Sequence, residues 1–188
     1  MSRSSVPFDQ ELEVKHAVRI ETRILAEVIA SVALAGVLYA IPFFQLPQGG
    51  RVTLASMVPI FFVALRRGPR VGVLAGIVFG FVALTLDSFA FVVNPIQVAL
   101  DYPLAFGALG LAGFFKKSPL IGVAVGVVGR FICHFISGLV FFATYAPAGE
   151  APAIYSAVYN GSFLSIEFLM TAIIIFLLQK QGIMKLYM

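Results

Sequence analysis

The sequence carries little charge for its length. Of its 188 residues only 12% are charged, whereas 60% are hydrophobic, and the mean hydropathy is +0.99. A soluble domain has about 25% charged and about 45–50% apolar residues. A disordered chain requires low hydrophobicity and is excluded. The composition therefore indicates an integral membrane protein with a single domain.

Cysteine, histidine and tryptophan are also scarce. The single cysteine, Cys133, excludes a disulfide framework and any cysteine-based metal cage. With only two histidines, no metal site and no cofactor are predicted. Without tryptophan, ring stacking has to come from the 19 Phe and 6 Tyr. No P-loop, HExxH or Gly-x-Ser-x-Gly pattern is present, so an ATPase of the P-loop type and the common hydrolases are not predicted.

Long apolar runs account for most of the chain. Five of them reach the roughly 20 residues that a membrane-crossing helix needs: Ile24–Phe43, Val71–Val93, Val98–Phe115, Leu120–Phe142 and Ala153–Leu178. A shorter run, Val52–Leu65, gives a sixth span. We therefore predict an all-α bundle of six transmembrane helices over residues 24–188, preceded by a polar cytoplasmic arm over residues 1–23.

Basic residues favour one side of this predicted bundle. Four lie in the arm, three after the second span, two after the fourth and two in the tail. They are Arg3, Lys15, Arg19, Arg23, Arg66, Arg67, Arg70, Lys116, Lys117, Lys180 and Lys185. Cytoplasmic loops carry an excess of Lys and Arg, so both termini are expected in the cytoplasm. Omitting the short second span would destroy the pattern.

Small residues recur at helical spacing in three of the runs. The glycines are Gly72, Gly76 and Gly80 in one run and Gly122, Gly126 and Gly129 in another. Ala26, Ala30 and Ala33 form a similar stripe in the first run. Small residues let membrane helices approach closely. We expect the glycines to pack inside the bundle, whereas the alanine stripe could equally face another membrane subunit.

Five polar residues at predicted membrane depth are candidates for a function: Asp101, Arg130, His134, Asn160 and Glu167. Ionisable groups at membrane depth are costly and usually functional. Arg130 and Glu167 lie at similar predicted depth and are expected to form a structural ion pair. His134 lies one turn from Arg130 on the same helix face.

A ring-rich polar set is predicted in the outer half of the bundle, made of Asp101, His134, Phe142, Tyr155 and Asn160. It suits a small, flat, cationic ring compound, because aromatic faces attract cations and a few polar groups fix orientation. Other interpretations stay open. Asp101 could cap its helix, the rings could form an interfacial belt, and His134 could be an ordinary interior residue. A small intramembrane enzyme using Asp101 and His134 would lack an activated nucleophile.

Several short motifs occur together in order along the chain. They are Pro47-Gln48-Gly49-Gly50, Met57-Val58-Pro59-Ile60, Arg66-Arg67-Gly68, Asp101-Tyr102-Pro103-Leu104-Ala105-Phe106, His134-Phe135-Ile136-Ser137-Gly138 and Tyr145-Ala146-Pro147. In this combination, from about residue 24 to 178, the chain resembles the thiamin-specific substrate-binding (S) components of energy-coupling factor (ECF) transporters.

The resemblance implies a six-helix S-component fold in the cell membrane that binds thiamin (vitamin B1) from outside as transported ligand. It also implies partners, namely a transmembrane coupling protein and two ATPases that drive inward release. The ligand-binding set it implies is Asp101, Tyr102, His134, Phe142, Tyr155 and Asn160. The small-residue contact with the coupling protein would use Ala26, Ala30 and Ala33.

Two departures from the family pattern concern the pocket. The acidic position is often Glu, and Asp101 is one methylene shorter. Family members commonly stack thiamin on tryptophan, which leaves Phe142, or Phe43 or Phe44, for that role here. The loop Phe44–Arg51, with two glycines, is the expected lid. Another vitamin or precursor, such as riboflavin or an aminopyrimidine, remains an alternative ligand.

Overall fold

A computed structural model describes residues 8–87, 90 and 92–183, most of them in helices. Five helices are long and apolar enough to cross a membrane. They are α1 (Phe8–Tyr39), α3 (Pro69–Leu86), α4 (Pro95–Phe115), α5 (Pro119–Phe141) and α6 (Pro152–Lys180), and the shorter α2 covers Val58–Arg67. Arg3 and Lys185, two of the basic residues on the predicted cytoplasmic side, lie outside the described residues.

Helix α1 begins well before the predicted first span. It runs without a break from Phe8 to Tyr39, over 32 residues, so the described part of the polar arm continues directly into the apolar segment. At 1.5 Å per residue it is about 48 Å long. The hydrocarbon core is about 30 Å thick, so the polar part of the helix extends beyond it.

The predicted short span is the element that differs most from expectation. Helix α2 has only ten residues, about 15 Å of rise, or half the thickness of the hydrocarbon core. The residues before it form strand β2 (Arg51–Thr53), which pairs antiparallel with β1 (Pro42–Gln45). All three β2 residues are buried, so this hairpin is inserted into the bundle instead of forming a plain outer loop.

Helix α4 changes geometry along its length. An α-helical turn (Pro95–Ala99) leads into a π-helical turn (Leu100–Leu104), and the helix ends as a 3₁₀ segment (Leu109–Phe115). Pro103 lies in the π turn and has no N–H to donate, which disrupts the regular ladder there. Asn94 caps the helix by accepting from the Ile96 N–H at 2.8 Å. The interpretation of Asp101 as a cap is therefore wrong.

The predicted packing of the glycines is confirmed, because α3 and α4 touch through their backbones. A Cβ built on Gly80 would lie 2.7 Å from Pro103 Cα, and one on Gly76 would overlap the Phe106 carbonyl. On α5, a Cβ on Gly126 would come within 2.6 Å of the Phe61 ring. The close approach of α3 to α4 at Gly80 fixes the position of the π turn that carries Asp101.

Three rings join the helices below the hairpin. Tyr39 of α1, Phe79 of α3 and Phe106 of α4 contact one another edge to face, with centroids 4.7–6.0 Å apart. At the other end of α2, the Glu27 carboxylate of α1 pairs with Arg66 at 3.1 Å and Arg67 at 2.5 Å. The carboxyl-terminal end of α2 is thereby tied to the first helix.

The backbone contact of Gly76 yields a stability prediction. Replacing Gly76 by Ala should lower stability by about 1–3 kcal/mol, because the α4 backbone cannot move aside. Gly161→Ala is the matched control, since its Cβ would meet only Phe131, at 3.9 Å. The control should be neutral or slightly stabilising. Thermal unfolding in detergent measures both, and equal melting temperatures for the two variants would refute the tight α3–α4 contact.

Candidate ligand-binding site

A cavity of about 100 Å³ opens between the hairpin, the end of α1 and helices α4 to α6. All six residues of the predicted ligand-binding set line it: Asp101, Tyr102, His134, Phe142, Tyr155 and Asn160. They come from the π turn of α4, from α5 and from the first half of α6. Their convergence is thus present in the structure, and their roles in binding a ligand stay predictions.

Asp101 is held by three neutral donors. Its Oδ2 accepts from Gln97 Nε2 at 2.6 Å and from the Ser137 hydroxyl at 2.8 Å. Its Oδ1 lies 3.0 Å from Nδ1 of His134. A carboxylate offers about four acceptor positions. Asp101 therefore keeps acceptor capacity for a ligand while its orientation is fixed.

Hydrogen bonds also assign the protonation state of His134. The Arg130 Nε–H points at His134 Nε2, 3.3 Å away, so Nε2 has to be the acceptor nitrogen. The ring proton then lies on Nδ1 and is donated to Asp101. His134 is consequently neutral and leaves the charge of Asp101 uncompensated.

Arg130 is committed to a second carboxylate. Its Nη1 lies 3.3 Å from Glu167 Oε2, as the sequence predicts for this pair, and its guanidinium stacks 4.3 Å from the centre of the Phe106 ring. The other carboxylate oxygen of Glu167 accepts from the N–H and hydroxyl of Thr53, at 2.5 and 2.7 Å. The pair thus joins α5 and α6 to the inserted hairpin.

A further ion pair borders the cavity on the α1 and α3 side. Arg51 Nη2 of the hairpin lies 3.0 Å from Asp87 Oδ1, and both side chains are buried. The hydroxyl groups of Tyr102 and Tyr39 donate to Asp87 Oδ2 at 2.9 and 3.3 Å. The Tyr102 hydroxyl is therefore engaged by protein, so this residue offers a ligand mainly its ring.

The charges in and beside the cavity do not cancel. Within the described part of the chain, the polar network contains two guanidinium groups, Arg51 and Arg130, and three carboxylates. Asp87 and Glu167 neutralise the two arginines. Asp101 remains as one net negative charge in a largely apolar bundle, facing the cavity.

Aromatic side chains form the walls of the cavity above Asp101. Phe142 and Tyr145 contact each other with ring centroids 6.0 Å apart, and Tyr155 stacks on Tyr159 at the same distance. Phe43 and Phe44 were alternatives for stacking, but they are 76% and 54% exposed on the outside of β1. Those two alternatives are wrong, because neither ring lines the cavity.

Asn160 is fixed by its amide nitrogen. This group donates to the Ser156 carbonyl at 2.9 Å and to the His134 carbonyl at 3.3 Å. Among the residues that the structure describes, no donor reaches its Oδ1 atom. The side chain is buried yet lines the cavity, and it is therefore arranged to accept a hydrogen bond from a ligand.

The tip of the hairpin lines the cavity and is held by one tyrosine. The Tyr159 hydroxyl donates to the Pro47 carbonyl and accepts from the Gly50 N–H at 2.8 Å. A Cβ on Gly50 would lie 2.7 Å from that hydroxyl, so the contact requires glycine. Between them Gln48 adopts a left-handed conformation, with φ 61°, which costs a non-glycine residue about 1–2 kcal/mol.

The sequence of the chain matches one family over most of its length. Residues 25–186 match the family described as thiamine transporter protein (Thia_YuaJ). The chain belongs to this family. It is a family of transport proteins, which confirms the expectation that the chain is not an enzyme and that thiamin enters as a transported ligand with no cofactor involved.

Individual relatives agree with this assignment. Thiamine transporter ThiT of Bacillus subtilis is 36% identical over 152 residues, covering 72% of this chain and 78% of the relative. The ThiT protein of Lacticaseibacillus paracasei is 31% identical over 138 residues, covering 64% and 69%. A solved structure of ThiT from Listeria monocytogenes superposes with a TM-score of 0.77 at 27% identity, covering 86% of this chain and 96% of that one.

Sequence reasoning missed several residues of the site. Gln97 lies one helical turn before Asp101, and Ser137 lies three residues after His134, so helical spacing could have identified both. Arg51 and Asp87 belong to distant segments whose contact depends on the inserted hairpin. No local pattern in the sequence indicates that pairing.

The buried ion pair gives a prediction for folding. Glu167→Gln should destabilise the protein by about 3–5 kcal/mol, because it leaves the Arg130 guanidinium buried without a counter-charge. Glu21→Gln, on the exposed part of α1, is the control and should change little. Chemical or thermal unfolding in detergent gives both values. If Glu167→Gln lowered the free energy of unfolding no more than the control does, the buried Arg130 guanidinium would not need Glu167 as its counter-charge.

Proposed function

We propose that this chain is the thiamin-binding S component of an ECF-type uptake transporter in the cell membrane. The observation that carries the proposal is the single uncompensated carboxylate, Asp101, in a ring-walled cavity. Thiamin has a permanently positive thiazolium, a second flat ring and a hydroxyethyl tail. A neutral ligand would leave the charge of Asp101 unbalanced.

The other cavity residues suit the remaining atoms of thiamin. Phe142 and the ring of Tyr102 offer apolar faces on which a flat cation or pyrimidine stacks. Asn160 Oδ1 accepts from an amino or hydroxyl group, and the Tyr155 hydroxyl donates or accepts. His134, neutral and fixed between Arg130 and Asp101, adds a further ring edge.

The direction of transport rests on the distribution of basic residues. Arg66, Arg67 and Lys116 lie at the ends of helices remote from the hairpin, and such residues mark the cytoplasmic side. With both termini in the cytoplasm, the hairpin and the cavity face outside. Thiamin would then enter beneath the hairpin, and release inward requires a rearrangement driven by the two ATPases.

A face for the membrane-embedded coupling protein is offered by α1. Ala26, Ala30 and Ala33 are exposed along the helix. Small residues allow a partner helix to approach closely. Glu27 flanks this stripe on the helix surface, and its ion pairs with Arg66 and Arg67 hold α1 against the rest of the protein. A flat, firmly supported face of this kind suits a coupling helix.

Asp101→Asn tests the proposed role of the cavity charge. We expect thiamin to bind the purified protein at submicromolar concentration and the variant to bind at least tenfold more weakly, about 1.4 kcal/mol. Glu150→Gln removes a carboxylate outside the cavity lining and serves as the matched control. Tyrosine fluorescence quenching or calorimetry measures the affinity. Unchanged affinity in the Asp101 variant would remove this residue from the site.

Mass spectrometry of small molecules that co-purify with the protein identifies the natural ligand directly. Thiamin is the expected species. A neutral flavin, or a free aminopyrimidine, would instead support the alternative of an S component for another vitamin or precursor.

Substitution on the alanine face separates binding from coupling. Ala30→Leu should abolish thiamin uptake by the assembled transporter, because the bulky side chain blocks close helix approach, and should leave thiamin affinity unchanged. Ala153→Leu, at an exposed alanine of α6, is the matched control. Uptake of labelled thiamin into proteoliposomes gives the result. Normal uptake with Ala30→Leu would place the coupling face elsewhere.

A further inference from the structure

Gln48 occupies a backbone conformation that glutamine rarely adopts. Its φ of 61° and ψ of 18° are left-handed, where Gly, Asn and Asp are the usual residues. The conformation is imposed from both sides, since Tyr159 binds the carbonyl of Pro47 and the N–H of Gly50. An unfavourable conformation that the surroundings fix in a binding site points to a function of the residue held there.

The side chain of Gln48 is turned toward the cavity. It is half-buried, lines the cavity wall and places its Oε1 3.5 Å from the Tyr155 hydroxyl. Its carboxamide presents one acceptor and two donor hydrogens side by side. Ala55 also has a positive φ, 62°, but it carries no polar group that could contact a ligand.

We propose that Gln48 is a specificity-determining residue that pairs its carboxamide with the amino-substituted edge of the aminopyrimidine ring of the ligand. This inference rests on the proposed function. An exocyclic amino group next to a ring nitrogen presents a donor beside an acceptor, and Gln or Asn pairs with the same arrangement on adenine.

Charge and geometry together assign this ring to Gln48. The thiazolium belongs beside Asp101, the one net negative charge of the network. Gln48 lies at the hairpin tip that lines one side of the cavity, whereas Asp101 belongs to the π turn of α4. The second ring of thiamin, joined to the first by a methylene, therefore reaches the neutral carboxamide.

The test compares thiamin with its analogue in which hydrogen replaces the pyrimidine amino group. Affinities are measured for the full-length protein in detergent, with Gln48→Ala, Gln48→Gly and the control Gln45→Ala on the same hairpin. Gln48→Ala should weaken thiamin binding about tenfold and binding of the analogue by no more than about twofold. Gln48→Gly should behave alike, and because it relieves the left-handed strain it separates loss of the carboxamide from any disturbance of the hairpin.

Three results would overturn the assignment of Gln48. These are thiamin affinity unaffected by either variant, an equal loss for both ligands, and a matching loss with Gln45→Ala. The latter two would mean that Gln48 only orders the hairpin. If the unaltered protein bound no thiamin, the proposed function itself would fail. If the Gln48 variants lose affinity for thiamin but not for the analogue, the result supports the contact between Gln48 and the pyrimidine amino group.

Discussion

The structure depends on one constraint: a carboxylate inside an apolar helix bundle has to be compensated, by protein or by ligand. Asp87 and Glu167 are compensated by Arg51 and Arg130, at 3.0 and 3.3 Å. Asp101 receives only neutral donors, so its charge remains available. Burial of a charge without a counter-ion is costly in a membrane protein. A bound cation would remove that penalty, and on this ground we propose that the charge of the ligand is the main basis of selection.

The ion pairs that engage both arginines, and so leave none for Asp101, also hold the elements that surround the cavity. Glu167 holds both Arg130 and Thr53 of β2, and Asp87 holds Arg51, the first residue of that strand. The inserted hairpin is therefore fixed by charge on two sides and by Tyr159 at its tip. Loss of either ion pair would therefore displace the hairpin from the cavity and lower the stability of the bundle.

Much of this arrangement could be predicted from sequence, because apolar run length and helical spacing are local properties. They indicated the five long helices and the Arg130–Glu167 pair, and together with the family resemblance they indicated six of the residues that line the cavity. The inserted hairpin and the Arg51–Asp87 pair could not be predicted. Each depends on contacts between segments distant in sequence, and a run such as Val52–Leu65 does not reveal that its first residues form a strand.

The most direct test of the central claim replaces the charge of the ligand and leaves its shape unchanged. A neutral isostere of thiamin, with the thiazolium nitrogen replaced by carbon, is titrated against thiamin by calorimetry. If the uncompensated carboxylate selects the cation, thiamin binds at least about tenfold more tightly than the isostere, and the difference disappears in Asp101→Asn. Equal affinities of the unaltered protein for both compounds would contradict the claim.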